Sequence, residues 1–161
     1  MKAAFDPHAT KFAEIYANKD FLCVMSCAGY RSTVLNQIVA FLSSDASHEQ
    51  LGTAVLSALD SYVVVPVDQF DDVFRPEQVS ARFSQWESDV CALAGYGSKR
   101  KLYAALKLVP IKLTGTTVCV TGTAKRRGAA FEGNGFSLNI DSKLGARAVG
   151  EAVLAALSAS A

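Results

Sequence analysis

The 161-residue sequence predicts a single α/β domain, with a mixed central β-sheet and helices packed on it. One domain suits this length, because such a chain buries about 70% of its unfolded surface in a single core. Half of the residues are hydrophobic, which excludes a disordered chain. Short apolar runs typical of strands alternate with segments whose apolar residues repeat at helical spacing. A similarity between two parts of the sequence also indicates that both halves contain a strand–loop–helix unit.

The first half contains two predicted strands followed by a helix. Residues 21–27 form a short apolar run that ends near Gly29, and a second strand is predicted over 38–42. Ser47 and Gln50 have the spacing of a capping box, so a helix is predicted to begin after Ser47. The apolar stripe of this helix comprises Leu51, Val55, Leu56 and Leu59.

The middle of the chain is predicted to be a connector and then a long helix. Residues 62–67 are apolar but contain Pro66, which favours an edge strand or an extended connector. Pro76 suits the first position of a helix that Gly95 ends, and Trp86 of this helix is predicted to lie in the core. Its apolar residues at helical spacing are Val79, Phe83, Trp86, Val90 and Leu93.

The second half repeats the pattern of strands followed by a helix. The Asn134-Gly135 pair predicts a turn immediately before one of these strands. In chain order, the predicted elements are a short helix after Ser98, strands over 109–114 and 116–123 joined at Gly115, a strand over 136–140 and a helix over about 146–158.

This internal similarity relates residues 51–59 to residues 149–157 at an offset of 98. The same offset aligns residues 38–42 with the strand-like run 136–140. We therefore predict a strand over 38–42, although periodicity alone also permits a helix there. Gly52 and Gly150 occupy matching positions inside the two helices, where glycine costs about 1 kcal/mol relative to alanine. Close packing of each helix against the sheet is expected to offset that cost.

Charge is segregated along the chain, although the net charge is only +1. Residues 60–89 carry two basic and seven acidic residues, a net charge of −5. Residues 90–131 carry eight basic residues and no acidic one, a net charge of +8. The overall balance excludes a uniformly basic nucleic-acid binder. If the fold keeps the two blocks apart, the molecule has an acidic and a basic side.

Neither catalysis nor cofactor or metal binding has a supported site in the sequence. It contains no Gly-x-x-x-x-Gly-Lys phosphate loop and no Gly-x-Ser-x-Gly nucleophile elbow. The four cysteines lack the spacing of zinc ligands and lie in apolar surroundings, so reduced core thiols are predicted. Residues 1–8 do not resemble a secretory signal, and no apolar run is long enough to span a membrane. A cytoplasmic protein without a cofactor is therefore expected.

The acidic stretch 68–74 is the feature that most favours a function, because it combines three carboxylates with Phe70 and Phe74. Such a combination suits an interface with a basic protein. A connector whose two phenylalanines pack into the core is an equally good interpretation. The basic clusters 99–101 and 125–127 support a competing function, a small nucleic-acid-binding or nucleotide-processing protein. A scaffold subunit of a larger complex is a third possibility.

One longer pattern combines Trp86 with the run 96–103, which reads Tyr-Gly-Ser-Lys-Arg-Lys-Leu-Tyr, and continues through two strands to the terminal helix. It resembles the signature "aromatic, helix, Gly, Lys, basic, Leu, aromatic" of the immunity proteins of contact-dependent growth inhibition (CDI) systems, over roughly residues 38–158. That family usually has a second Trp and a strand bearing Pro and His, where this chain reads Thr-Gly-Thr-Ala at 121–124 and Phe131.

The resemblance implies a single immunity-protein-like domain over residues 1–161, with no chemistry of its own. Its partner would be the toxic C-terminal domain of a large exoprotein that a neighbouring bacterium delivers. Many such toxins are nucleases, and an immunity protein typically blocks their active site or substrate face. A membrane or small-molecule partner is not expected, and nucleic acid is less favoured than the toxin. Charge alone selects the toxin-binding residues, because carboxylates mimic the phosphates that a nuclease binds. These residues are Asp68, Asp71, Asp72 and Glu77.

Overall fold

A seven-stranded, mostly antiparallel sheet carries five α-helices in the computed structural model, which describes residues 10–29, 32–126 and 130–161. The strands are β1 (Thr10–Ala17), β2 (Phe21–Gly29), β3 (Thr33–Ser43), β4 (Val63–Val64), β5 (Lys107–Thr114), β6 (Thr117–Lys125) and β7 (Phe131–Asp141). The α-helices are α1 (His48–Asp60), α2 (Phe70–Phe74), α3 (Pro76–Ala94), α4 (Lys99–Tyr103) and α5 (Ala146–Ala159). Short 3-10 turns cover Val67–Gln69 and Ser142–Leu144. The predicted α/β class is confirmed.

The strand order is β3-β2-β1-β5-β6-β7, and all neighbours along this path are antiparallel. At the centre, β1 pairs with β5, so that Ala13 lies opposite Ile111. The short strand β4 pairs in parallel with the end of β2, with Val63 opposite Ala28. This one parallel contact makes the sheet mixed, as predicted, and confirms an extended segment before Pro66.

Two copies of one βββα unit make up most of the fold. Strands β1 to β3 followed by α1 form the first copy, and strands β5 to β7 followed by α5 form the second. An offset of 98 carries the bounds of β3 onto those of β7, and the first residue of α1 onto that of α5. The predicted pair of strand–loop–helix units is confirmed, and each unit contains two further strands. Residues 61–106 lie between the copies and contribute β4, α2, α3 and α4.

Helices α1 and α5 pack directly on each other through Gly52 and Gly150. A Cβ atom on Gly52 would lie 1.6 Å from the carbonyl oxygen of Ala146, and one on Gly150 would lie 1.9 Å from that of His48. These two contacts are equivalent, because the offset of 98 carries His48 onto Ala146 as well. The prediction that these glycines serve helix–sheet packing is therefore wrong. They permit helix–helix contact, while larger residues such as Leu51 and Val149 fill the space next to the sheet.

The sheet has an apolar core on each face. In β1, Ala13 and Ile15 belong to the core under α1 and α5, whereas Tyr16 belongs to the core under α3 and α4. Trp86 is 2% exposed in the second core, which confirms its predicted position. Only the middle of the predicted stripe on α3 is buried, since Val79 and Leu93, outside this core, are 38% and 55% exposed.

The predicted helix boundaries are confirmed by the local hydrogen bonds. The Ser47 hydroxyl accepts from the backbone N–H of Gln50 at 3.1 Å, and the Gln50 side chain accepts from the backbone N–H of Ser47 at 2.9 Å. Pro76 is the first residue of α3, which ends at Gly95 with a φ of +70°. None of the helices in the described ranges combines the length and the apolar character that crossing a membrane requires.

The turn predicted at Asn134-Gly135 is wrong, because both residues lie inside β7. Gly135 has a φ of +88°, and the register between β6 and β7 shifts between Thr121 and Thr123. Gly135 thus supplies the left-handed backbone of a bulge and not of a hairpin turn. The Asn134 side-chain amide also donates to the carbonyl of Ala159 at 2.8 Å, which ties the bulge to the end of α5.

Candidate interaction surface

The four acidic residues selected by charge all lie in the segment between the two βββα units, and all are exposed. Asp68 lies in a 3-10 turn, Asp71 and Asp72 lie in α2, and Glu77 lies in the first turn of α3. Two short elements and the start of the long helix α3, consecutive in the chain, therefore carry them. A structural role also suits Glu77, because a negative charge in the first turn of a long helix is stabilising by about 0.3–1 kcal/mol.

Most of these carboxylates are unpaired within the described ranges. Asp72 lies 3.5 Å from the Arg75 guanidinium, and this ion pair is largely exposed to solvent. Asp68, Asp71 and Glu77 make no ion pair with any residue that the structure describes. Exposed charges without partners are available to a second protein, because no internal ion pair has to be broken first.

The acidic segment, defined as residues 67–77, is anchored to the sheet by apolar residues before it and within it. The backbone N–H of Val65 donates to the carbonyl of Gly29 at 2.9 Å, and the Val65 side chain is 4% exposed. Val73 and Phe74 pack against a small core of Ala28, Val34 and Val65. The segment is thus fixed at both ends of its acidic turns.

The two phenylalanines of the acidic stretch have different environments. Phe74 packs against the small core at the end of β2, as the connector interpretation predicts. Phe70 is half-buried and belongs to none of the apolar clusters in the described ranges. Its ring instead lies on that of Phe74, with centroids 4.4 Å apart and planes tilted by 32°. The connector interpretation is therefore confirmed for Phe74 and not for Phe70, and the interface interpretation stays a prediction.

The basic segment is largely engaged in contacts within the chain. Lys99 of the basic block and Glu87 of the acidic block lie 3.6 Å apart, so the two blocks are not fully separated. Arg100 and Lys112 make no ion pair in the described part of the chain, and Arg127 lies outside it, as do residues 1–8. The other internal contacts are Lys101 over the Tyr96 ring, Lys107 to the Leu157 carbonyl, Lys125 to the Tyr103 carbonyl and Arg126 to Glu132.

The run 96–103, which carries the family resemblance, has a structural role that the sequence did not disclose. Glu87 is 9% exposed, and its carboxylate accepts a hydrogen bond from the Tyr103 hydroxyl at 2.8 Å. Burial and this carboxylate both raise the pKa of Tyr103, so the phenol remains a donor. The Tyr96 hydroxyl donates to Asp20 at 2.5 Å and accepts from Asn18 at 2.9 Å. These contacts join the α3–α4 region to the turn between β1 and β2.

The cysteines are free thiols, as predicted, and two of the four are fully buried. Burial raises the pKa of Cys23 to about 12 and raises the pKa of Cys27 as well, so both thiols are protonated at neutral pH. Cys91 and Cys119 are only half-buried. Among the described residues, no group of three or more His, Cys, Asp or Glu side chains converges as metal ligands would.

Comparisons with known proteins agree on one family and one fold. A family model described as "CdiI: CDI immunity protein" matches residues 11–160. The immunity protein CdiI-YPIII of Yersinia pseudotuberculosis serotype O:3 is 28% identical over 139 residues, 78% of each chain. A solved protein of unknown function from Neisseria meningitidis has a TM-score of 0.90 and 21% identity, over 99% of this chain and 100% of that one. A chain of the CdiA-CT/CdiI toxin and immunity complex from Yersinia pseudotuberculosis has a TM-score of 0.83 and 22% identity, over 94% and 98%.

Proposed function

The chain belongs to the CDI immunity protein family, and on that premise we propose that it binds and neutralises the toxin domain of its cognate CDI exoprotein. The family match spans 11–160 and so includes both βββα units and the segment between them. The family consists of immunity proteins and not of enzymes, and the proposed inhibition needs binding alone. The similar Yersinia chain comes from a complex of a toxin with an immunity protein, which supports a partner of the same kind here.

The acidic segment is the surface that we assign to the toxin, through Asp68, Asp71, Asp72 and Glu77. The observation that carries this assignment is their exposure, which for Asp68, Asp71 and Glu77 is combined with the absence of any ion pair among the described residues. Charges of one sign on an anchored segment produce a local negative potential that attracts a basic partner. The Asp72–Arg75 ion pair is exposed, so Asp72 exchanges partners at little cost.

The toxin is, in this proposal, a nuclease. A nuclease holds a polyanionic substrate and therefore presents a basic face. Carboxylates of the immunity protein would occupy positions that substrate phosphates otherwise take, so one bound molecule excludes the substrate. Long-range attraction would also accelerate association, which matters for a protein that must capture a toxin before it acts.

Such a protein would act in the cytoplasm of the cell that makes it, where an incoming toxin domain meets its target. The four free thiols fit a reducing compartment. Stable exclusion of the substrate requires only a stoichiometric complex.

Co-expression with the cognate toxin tests the proposal directly. The C-terminal domain of the cognate CDI exoprotein would be produced with and without this chain in the same cells. We expect protection from growth arrest, together with one-to-one inhibition of nucleic-acid cleavage by the purified domain. Loss of viability despite abundant chain, or binding that leaves cleavage intact, contradicts neutralisation by blocking.

A further inference from the structure

Val67, which is exposed, and Phe70, which is half-buried, form an apolar ridge within the acidic segment. Val67 is 74% exposed, the highest value among the large hydrophobic side chains that the structure describes. Phe70 follows three residues later, and its backbone N–H donates to the Val67 carbonyl. Residues at this spacing on a helical turn lie on the same side, so the two side chains are neighbours.

The ridge is held firmly in place. Behind Phe70 lies the ring of Phe74, at a centroid distance of 4.4 Å, and Phe74 is fixed against Val65 and Val34. The 3-10 turn that carries Val67 is closed by the Gln69 N–H donating to the Pro66 carbonyl at 2.9 Å. A side chain already held in its binding position loses little conformational entropy when a partner covers it.

Carboxylates run alongside the ridge. Asp68 and Asp71 are also three residues apart, one position after Val67 and Phe70 respectively, so an acidic row accompanies the apolar one. This pattern of an apolar centre with charged neighbours is that of a protein-binding hot spot with its polar rim.

We propose that this ridge is the energetic anchor for the toxin domain, which would present an apolar depression with a basic rim. The inference rests on the proposed function and adds the contact that determines the lifetime of the complex. The acidic row disfavours a second copy of the same surface through like-charge repulsion, and it disfavours anionic lipid for the same reason. A protein surface that combines an apolar depression with basic residues is complementary to both the apolar ridge and the acidic row.

The two rows have different kinetic signatures. Removal of a central aromatic anchor accelerates dissociation, whereas removal of a rim charge slows association and weakens its salt dependence. Because a hot-spot side chain is worth a factor of about 30 in affinity, we expect Phe70→Ala to raise the dissociation rate by roughly that factor. Val67→Ser removes a smaller exposed side chain and is expected to raise it about fivefold.

Binding kinetics with the cognate toxin domain, in a catalytically inactive form, test the anchor. Leu144→Ala and Leu93→Ala are matched controls, since these side chains are 69% and 55% exposed and lie on other elements. Faster dissociation for both ridge variants, with unchanged controls, supports the anchor. If the wild-type chain binds tightly and the ridge variants dissociate at its rate, the anchor is wrong while the proposed function stands. If the wild-type chain does not bind, the proposed function itself fails.

Two further measurements exclude other origins of the effect. Thermal unfolding of each variant reports its folding, and Val67→Ser is informative even if Phe70→Ala is unstable, because Val67 belongs to no core cluster among the described residues. Sedimentation equilibrium of the chain alone tests for a second copy on the ridge. A wild-type dimer that Val67→Ser dissociates, without any change in toxin binding, would overturn the proposal.

Discussion

Carboxylates of this protein occupy two kinds of environment, and each kind has its own role. Glu87 is buried and Glu14 is half-buried, and they accept hydrogen bonds from Tyr103 and Tyr16 respectively. Burial of this kind costs free energy unless hydrogen bonds replace water, so these side chains belong to the fold. The carboxylates of the acidic segment, such as Asp71, remain in water and are available to a partner.

Reversal of charge at Asp71 and Asp72 tests the steering role of the acidic segment. The double variant Asp71→Lys/Asp72→Lys is expected to associate with the toxin at least tenfold more slowly at low salt, because repulsion replaces attraction. The salt dependence of the association rate should also flatten. Stopped-flow association at several ionic strengths measures both effects. Glu49→Lys, at an exposed acid on α1, is the control; an equal change there, or none at Asp71 and Asp72, removes these residues from the interface.

Glu14 predicts a dependence of stability on pH. Burial raises its pKa above the ordinary value of 4.5, and the hydrogen bond from Tyr16 only partly opposes this. The folded state therefore binds a proton more readily than the unfolded state, and the contribution of Glu14 to stability falls as pH rises through the raised pKa. Glu14→Gln keeps an acceptor for Tyr16 and removes the titration.

Urea unfolding of the wild type and Glu14→Gln between about pH 7 and about pH 5 measures this contribution. We expect Glu14→Gln to be the more stable protein at pH 7 and its advantage to shrink as the pH falls. An advantage that is constant over this range would show that Glu14 titrates normally.

At the scale of elements, the crossing of α1 and α5 is the contact that the glycines define. Gly52 and Gly150 bring each helix onto the backbone of the other, and neither position has room for a methyl group. Since these contacts join elements from opposite halves of the sequence, they also hold the two βββα units together on one face of the sheet. The similar glycine positions in the two halves of the sequence are thus the positions at which the two repeats contact each other.

Substitution of the helix glycines distinguishes packing from helix propensity. Gly52→Ala and Gly150→Ala would each stabilise an isolated helix by about 1 kcal/mol. In the folded protein we expect each to be destabilising by about 2–4 kcal/mol, because an added Cβ overlaps a carbonyl and the helices must move apart. Denaturant unfolding gives the sign. Gly97→Ala is the control, since its added Cβ would meet no atom within 4 Å.

Patterns within single elements predicted the fold well, whereas contacts between elements were not predictable. The capping box of α1 and the Pro76–Gly95 limits of α3 depend on local hydrogen bonds and backbone angles, which the sequence specifies. Strand β1 was not predicted, and the bulge at Asn134 was predicted as a turn, since both need cross-strand pairing to be recognised.

For the candidate surface too, local properties were predictable from the sequence and contacts between elements were not. Charge alone selected Asp68, Asp71, Asp72 and Glu77, and exposure is a property that short polar turns usually have. Their role in toxin binding remains a prediction. Phe70 and Phe74 have equivalent positions in the sequence pattern, so only the contact of Phe74 with Val34 and Val65 distinguishes the inner ring from the outer one.

In the whole molecule, the acidic and basic blocks that are separate in the sequence partly neutralise each other in the folded structure. The ion pair between Lys99 and Glu87 links the two blocks, and several further cations of the basic block bind carbonyls or aromatic rings of the same chain. The acidic segment keeps most of its charge unpaired among the described residues. The molecule is therefore better suited to a basic partner than to a nucleic acid.

Nucleic-acid binding is accordingly expected to be weak. We predict no saturable binding of a short single-stranded RNA at about 0.15 M salt, because most cations of 99–126 are already engaged. Fluorescence anisotropy with a labelled RNA measures this. Salt-dependent binding that Arg126→Gln abolishes would instead support the competing function.

The crossing of α1 and α5 also has a consequence for the order of events during synthesis. The helix α5 covers a core that includes Ile15 and Val109, and it is the last helix of the described chain to leave the ribosome. Until then α1 lacks its backbone contact with α5 at Gly52, and strands β5 to β7 lack the helix that covers them. This face of the sheet is therefore completed only after α5 has been synthesised, and we expect nascent chains to expose part of the core beneath it until then.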